Sequence, residues 1–150
     1  MTSHQQNEFL HVTRRESYRW FLPINTRWMD NDVYGHVNNV HYYSYFDTIV
    51  NTFLIQQCGL DIHHGDVIGY IVHSECNYKQ AVAFPDQLEG ALNVKKIGNS
   101  SVQYGLAVFK LGESNAAAYG QFTHVFVSRK NERPLTIPVW IRTELEKIQR

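Results

Sequence analysis

The chain has 150 residues, with 14 basic side chains against 14 acidic ones and a formal charge of zero. That length suits one domain with a sizeable core, and the balanced charge gives no footing for nucleic acid or an anionic membrane surface. Only two cysteines (Cys58 and Cys76), no apolar leader and no membrane-length apolar run point to a reduced, cytoplasmic protein.

Residues 1–15, MTSHQQNEFLHVTRR, are polar and aperiodic and are expected to be a flexible segment ahead of a single domain over 16–150. ESYRWFLPI (16–24) alternates, with Tyr18, Trp20 and Leu22 on one side, and reads as a strand. TRWMDNDVYGHVNNVHYYSYFD (26–47) begins like a strand and ends like a helix, and it gathers acids, imidazoles and amides at the change. From Tyr42, apolar residues recur at Phe46, Ile49, Val50 and Phe53, one face of a helix near 39–58. Asn38 or Asn39 can cap its start, and Gly59 can end it in the left-handed conformation.

After the helix the period becomes two. VIGYIVHSECNYKQAV (67–82), QLEGALNVKKIG (87–98), SVQYGLAVFKLG (101–112) and AAAYGQFTHVFVSRK (116–130) are strand candidates. Short Pro/Gly/Asn/Asp punctuation between them predicts an antiparallel meander. IPVWIRTELEKIQR begins its helical pattern at Pro138 and closes the chain. One long amphipathic helix among antiparallel strands must lie across the sheet, an α+β layer.

This order, with D-x-x-G-H-V-N-N-x-x-Y (Asp32, Gly35, His36, Val37, Asn38, Asn39, Tyr42) at the strand-to-helix join, resembles the hotdog-fold thioesterases of the 4-hydroxybenzoyl-CoA thioesterase family. AVAFPDQLEG, IGNSSVQYGLAVF and AAAYGQFTHVFVSRKNERPLTIP add to the match, which spans about residues 16–138. The resemblance implies a long helix wrapped by an antiparallel sheet, acyl-CoA as substrate, Asp32 as catalytic carboxylate, and active sites at a subunit interface; the exposed edges of an antiparallel sheet invite pairing with a second copy, so a homodimer or homotetramer is expected. Tyr34 stands where the plant acyl-ACP thioesterases carry Asn, and Asn39 where some bacterial members carry His.

Thioester hydrolysis needs an activated water or a nucleophile, and donors for the developing oxyanion. An ionised carboxylate can deprotonate water or attack the carbonyl itself. A helix start offers unpaired N–H groups and the positive end of its dipole. A strand–loop–helix junction brings the two together. Asp32 is the acid of choice and Asp30 reads as a solvated loop residue. His36 either braces the loop or acts as acid/base. Asn39 caps, and the resemblance suggests that its backbone N–H also meets substrate. Gly35 supplies a positive φ or lets a ligand approach the backbone.

Tyr42, Tyr43, Tyr45 and Phe46 either line an aromatic slot or fill the core. Arg129, Lys130 and Arg133 are candidates for the phosphates of CoA, or an ordinary solvated turn. No phosphate-binding glycine loop occurs, and the spacing of the eight histidines matches no zinc pattern, so neither a metal nor a cofactor is expected. Cys76 and His73, three apart on a strand, face opposite ways and make a poor nucleophile pair. The alternatives are an acyl-ACP thioesterase, which would want a basic docking patch, and a non-catalytic acyl-binding hotdog module. A hotdog hydratase would want D-x-N-x-x-H, which is not present.

Overall fold

The computed structural model describes residues 2–150. The segment expected to be flexible forms a helix, α1 (Ser3–Thr13). A capping box starts it: the Thr2 hydroxyl accepts the Gln5 N–H and the Gln5 side chain accepts the Thr2 N–H. Capping is a local polar signal that a search for apolar periodicity passes over. A 3-10 turn at 15–17 follows, so strand β1 (Trp20–Asn25) begins later than the alternation suggests.

The long helix α2 (Val40–Gln56) lies where its apolar stripe predicts. Tyr42, Tyr45, Phe46, Ile49, Val50, Phe53 and Leu54 are buried, the i, i+3, i+4, i+7 pattern of one face. Phe46, Ile49 and Val50 are wholly removed from solvent, each contributing about 1.5–3 kcal/mol of transfer free energy. The helix stops as predicted at Gly59, whose φ is +72°, with the Leu60 N–H folded back onto Leu54 O at 3.0 Å. It sits close on the sheet: a Cβ at Gly90 would meet Ile49 at 2.5 Å.

The remaining strands are β2 (Val67–Tyr78), β3 (Gln87–Ile97), β4 (Ser101–Lys110) and β5 (Ala118–Ser128), and α3 (Val139–Lys147) follows Pro138. All pairings are antiparallel in the order β1-β3-β4-β5-β2. The expected meander holds for β3-β4-β5 only. β2 does not turn back on β3; it pairs with β5 on the far edge, from Val67↔Ser128 to Tyr78↔Ala118. Three inter-strand spacings, about 14 Å, separate it from β3, and residues 79–86 cover that distance.

This crossing passes the start of α2 and is tied there. The Val37 N–H bonds Val82 O at 2.8 Å, the Phe84 N–H bonds Asn31 Oδ1 at 2.9 Å, and the Thr26 hydroxyl bonds Asp86 O at 2.6 Å. A long helix wrapped by an antiparallel sheet is the hotdog fold, in the α+β class. β1 and β2 are its two edges.

Candidate active site

Between β1 and α2 the chain makes a 3-10 turn at 28–30, a loop, and the helix start. An isolated bridge between Asn31 and Val37 closes the loop. Inside it the Asp32 N–H bonds His36 O at 2.9 Å and the Gly35 N–H bonds Asp32 O at 3.1 Å. Gly35 has a φ of +83° with open space where a Cβ would stand, so it serves the turn and leaves the backbone approachable.

The Asp32 side chain is half-buried. Its Oδ1 accepts the Tyr34 N–H at 2.9 Å, an Asx turn. Among the described residues nothing bonds Oδ2. One oxygen orients the carboxylate and the other remains available to accept a proton or attack.

At the helix start, Asn38 provides the side-chain cap, its Oδ1 accepting the Val40 N–H at 3.2 Å. Asn39 is the formal cap residue but makes no side-chain capping bond. Its carbonyl accepts the Tyr78 hydroxyl at 3.3 Å. Its own N–H takes no partner among the described residues. That is the unpaired donor an oxyanion requires.

The His36 ring is exposed and makes no hydrogen bond among the described residues; its backbone carbonyl, not its imidazole, holds Asp32. Tyr42 is buried, edge-on to Tyr45 and Tyr78 with ring centres 6.0 and 5.0 Å away. It also lines an open cleft of about 280 Å³ beside the helix start, together with Val37, Asn39, Tyr78 and Lys79. Tyr45 and Phe46 fill the core, whereas Tyr43 lines a broader groove of about 430 Å³ with Asp47, Ile71 and Phe122.

Asp30 corrects the sequence reading. It is no solvated loop acid; its side chain is 0% exposed. Tyr45 donates to Oδ2 at 2.7 Å, the Arg27 N–H to Oδ2 at 2.9 Å, and the Arg27 Nε to Oδ1 at 3.0 Å. Burial by itself would push this carboxyl up; the Tyr45 and Arg27 bonds outweigh it and hold the group below its usual value. The Tyr45 hydroxyl is pushed well up, first by burial and then by its bond to Asp30.

The predicted phosphate cluster lies elsewhere. Arg129, Lys130 and Arg133 follow the end of β5, beside Val67, whereas the helix start that follows the Asp32 loop meets Tyr78 through Asn39 at the other end of β2. The 12 residues of β2 lie between them, roughly 35 Å at about 3.3 Å per residue. The Arg129 guanidinium is also engaged, donating to Gly65 O at 2.8 Å and Ile62 O at 2.6 Å. Burial pushes the Cys76 thiol up to about 11 and the Cys58 thiol up to about 12, which suits neither for nucleophilic work. Among the described residues no three His, Cys, Asp or Glu side chains gather as a metal would need, and no helix is long and apolar enough to cross a membrane.

A half-open carboxylate in the loop that leads to the central helix of a hotdog sheet, with an unpaired backbone donor at that helix's start, is an arrangement suited to acyl-thioester chemistry. The profile of the Thioesterase-like superfamily matches residues 26–145, and the chain belongs to that superfamily. It is similar to the crystal structure of the PA5185 protein of Pseudomonas aeruginosa, with 55% identity, a TM-score of 0.90, and coverage of 91% of this chain and 96% of that one. The 1,4-dihydroxy-2-naphthoyl-CoA thioesterase of Synechocystis shares 15% identity at a TM-score of 0.75, covering 84% of this chain and 94% of its own. A thioesterase-superfamily protein of Jannaschia sp. CCS1 shares 19% identity at a TM-score of 0.78, covering 85% and 81%. These last two show a shared fold alone. No curated protein matches the chain.

Proposed function

We propose that the protein hydrolyses acyl-CoA thioesters, as members of the 4-hydroxybenzoyl-CoA thioesterase family do. The observation that carries this reading is the half-buried Asp32 carboxylate with one oxygen unbonded, in a loop leading to the unpaired Asn39 N–H. As general base, Asp32 takes a proton from water while the water oxygen bonds the acyl carbon. The carbonyl oxygen gains charge and the Asn39 N–H stabilises it. The C–S bond then breaks, the CoA sulfur leaves with the proton that Asp32 took from water, and a carboxylic acid remains with Asp32 again ionised. Direct attack by Asp32 gives instead a mixed anhydride that water opens, with the same products. Gly35 lets substrate approach the loop, and Tyr42 lines its cleft.

In this reading the working unit is a homodimer. β2 is a 12-residue edge strand with Tyr70, Ile71, Val72 and Tyr78 exposed, a surface that invites pairing with its own copy. Trp28, Met29, Val33 and Tyr34 expose further apolar area around the Asp32 loop. Two copies of β2 related by a twofold axis run antiparallel, so the Val67 end of one lies near the Tyr78 end of the other. The basic cluster that is remote from Asp32 within one chain then serves the other chain's site. Arg129 already ties down its own loop, which leaves Lys130 and Arg133 for the CoA phosphates.

The test is release of free thiol from a panel of acyl-CoAs and acyl carrier proteins, with light scattering for the assembly. The double variant Lys130→Ala, Arg133→Ala should raise KM for the best acyl-CoA about two- to fivefold and leave KM for the matching pantetheine thioester unchanged. Equal effects on both thioesters, or a fully active monomer, would refute the shared site. An inert wild type that binds acyl-CoA would make the protein an acyl-binding module.

A further inference from the structure

The reaction above leaves Asp30 without a task, although it is the most fully bonded acid near the site. Its carboxylate receives the Tyr45 hydroxyl, the Arg27 backbone N–H and the Arg27 guanidinium, whose Nη2 lies 2.9 Å from Oδ1. His41 Nδ1 stands 3.9 Å from the same oxygen. The Asp30 backbone works too: its N–H bonds Arg27 O at 2.9 Å and its carbonyl accepts the Asn38 N–H at 2.9 Å. One residue thus joins the entrance of the loop, its exit and the buried face of α2. Asp32 and Asn39 both hang from these anchor points.

A buried carboxylate is a weak device for stability even with a guanidinium to pair it, because taking its charge out of water costs much of what the pairing returns, and the Arg27 side chain is itself largely exposed. The bonded carboxylate is a strong device for geometry, since each bond constrains a direction. We propose that Asp30 is a positioning residue for thioester hydrolysis, a carboxylate clamped by Arg27 and Tyr45 that holds Asp32 and the Asn39 N–H in their working arrangement. The proposal rests on the thioesterase reading above. It takes no part in proton transfer; its oxygens are occupied by donors and lie out of reach of solvent. A displacement of about 1 Å at a reacting group can cost about 100-fold in rate, and loosening this clamp releases both groups at once.

Two variants test it. Tyr45→Phe removes one hydroxyl and keeps the ring. Asp30→Asn keeps the size but turns an amide donor toward the Arg27 donors. Each is measured for kcat and KM on the best acyl-CoA and for amide-hydrogen exchange over residues 32–39, with the exposed Glu113→Gln as control. Tyr45→Phe should lower kcat about fivefold and Asp30→Asn about 100-fold, with KM within about twofold and faster exchange at 36–39. Glu113→Gln should match the wild type in every readout. A rise in KM at constant kcat, an unchanged kcat, or a lost kcat without faster exchange overturns the proposal. If Asp30→Asn does not fold, Tyr45→Phe decides. If the wild type hydrolyses no thioester, the thioesterase reading fails on its own; exchange in Tyr45→Phe then still judges the clamp, sustained if faster and refuted if unchanged.

Discussion

Asp30 and Asp32 flank a single asparagine, yet the seat beneath the loop and the loop itself treat their carboxylates in opposite ways. Asp30 is sealed from water and accepts bonds on both oxygens. Asp32 is half-buried and accepts one. A buried carboxylate must have its lone pairs satisfied, because an unpaired charge in a low-dielectric interior is costly. A reacting carboxylate must keep one lone pair free. The more deeply buried acid is therefore the structural one, and the acid at the loop surface is fit for chemistry.

Stability should separate the two most strongly. Asp30→Asn weakens the charge-assisted bonds that the buried carboxylate takes from Tyr45 and from the solvent-facing Arg27, and should cost about 1.5–3 kcal/mol in urea unfolding. Asp32→Asn should stay within about 0.5 kcal/mol of wild type, because the amide can still accept the Tyr34 N–H. Equal losses would erase the distinction.

Asp30 and the core histidine, both buried, lose their contributions to stability at different pH. His124 is 2% exposed, and burial pushes its pKa down to about 4, with the Tyr104 hydroxyl 3.4 Å from Nδ1. Its folded value lies below the unfolded value of about 6.5, so the unfolded chain binds the proton more readily. Stability from this group is complete above about pH 6.5 and is lost as pH falls toward 4, by about 3 kcal/mol. Asp30, also lowered, loses its contribution only below the ordinary carboxylate range, about pH 3.9. A urea series from pH 7 to pH 4 should show the first loss, and His124→Gln should flatten it. No change in that window would contradict the burial argument.

The smallest effect belongs to the loop rim. The exposed, unbonded His36 ring predicts that His36→Gln lowers kcat no more than about threefold, whereas general acid–base groups contribute about 10²–10⁴. A loss of that larger size would move His36 into the reaction.

These contrasts also mark what the sequence conveys. α2 is legible because its stripe from Tyr42 to Phe53 repeats within a few turns. The place of β2 is not, since Phe84-Pro85-Asp86 reads equally as a hairpin turn or as the end of a crossing, and pairing with β5 leaves no local trace. The Asp32 loop is legible as a motif. The burial of Asp30 is not, because Tyr45 reaches it across 15 residues; the nearest clue is Arg27, three positions earlier. Lys130 and Arg133 are visible as charges, but their distance from Asp32 depends on β2 register, a non-local quantity.

The proposed hydrolysis depends on the Asp32 carboxylate. The direct measurement is free-CoA release by wild type and Asp32→Asn across one panel of aromatic and aliphatic acyl-CoAs at neutral pH. At least one acyl-CoA should be turned over by the wild type, with kcat lower by about 100-fold or more in the variant and KM little changed. Equal rates in the two proteins, or a wild type inert on every thioester, would contradict it.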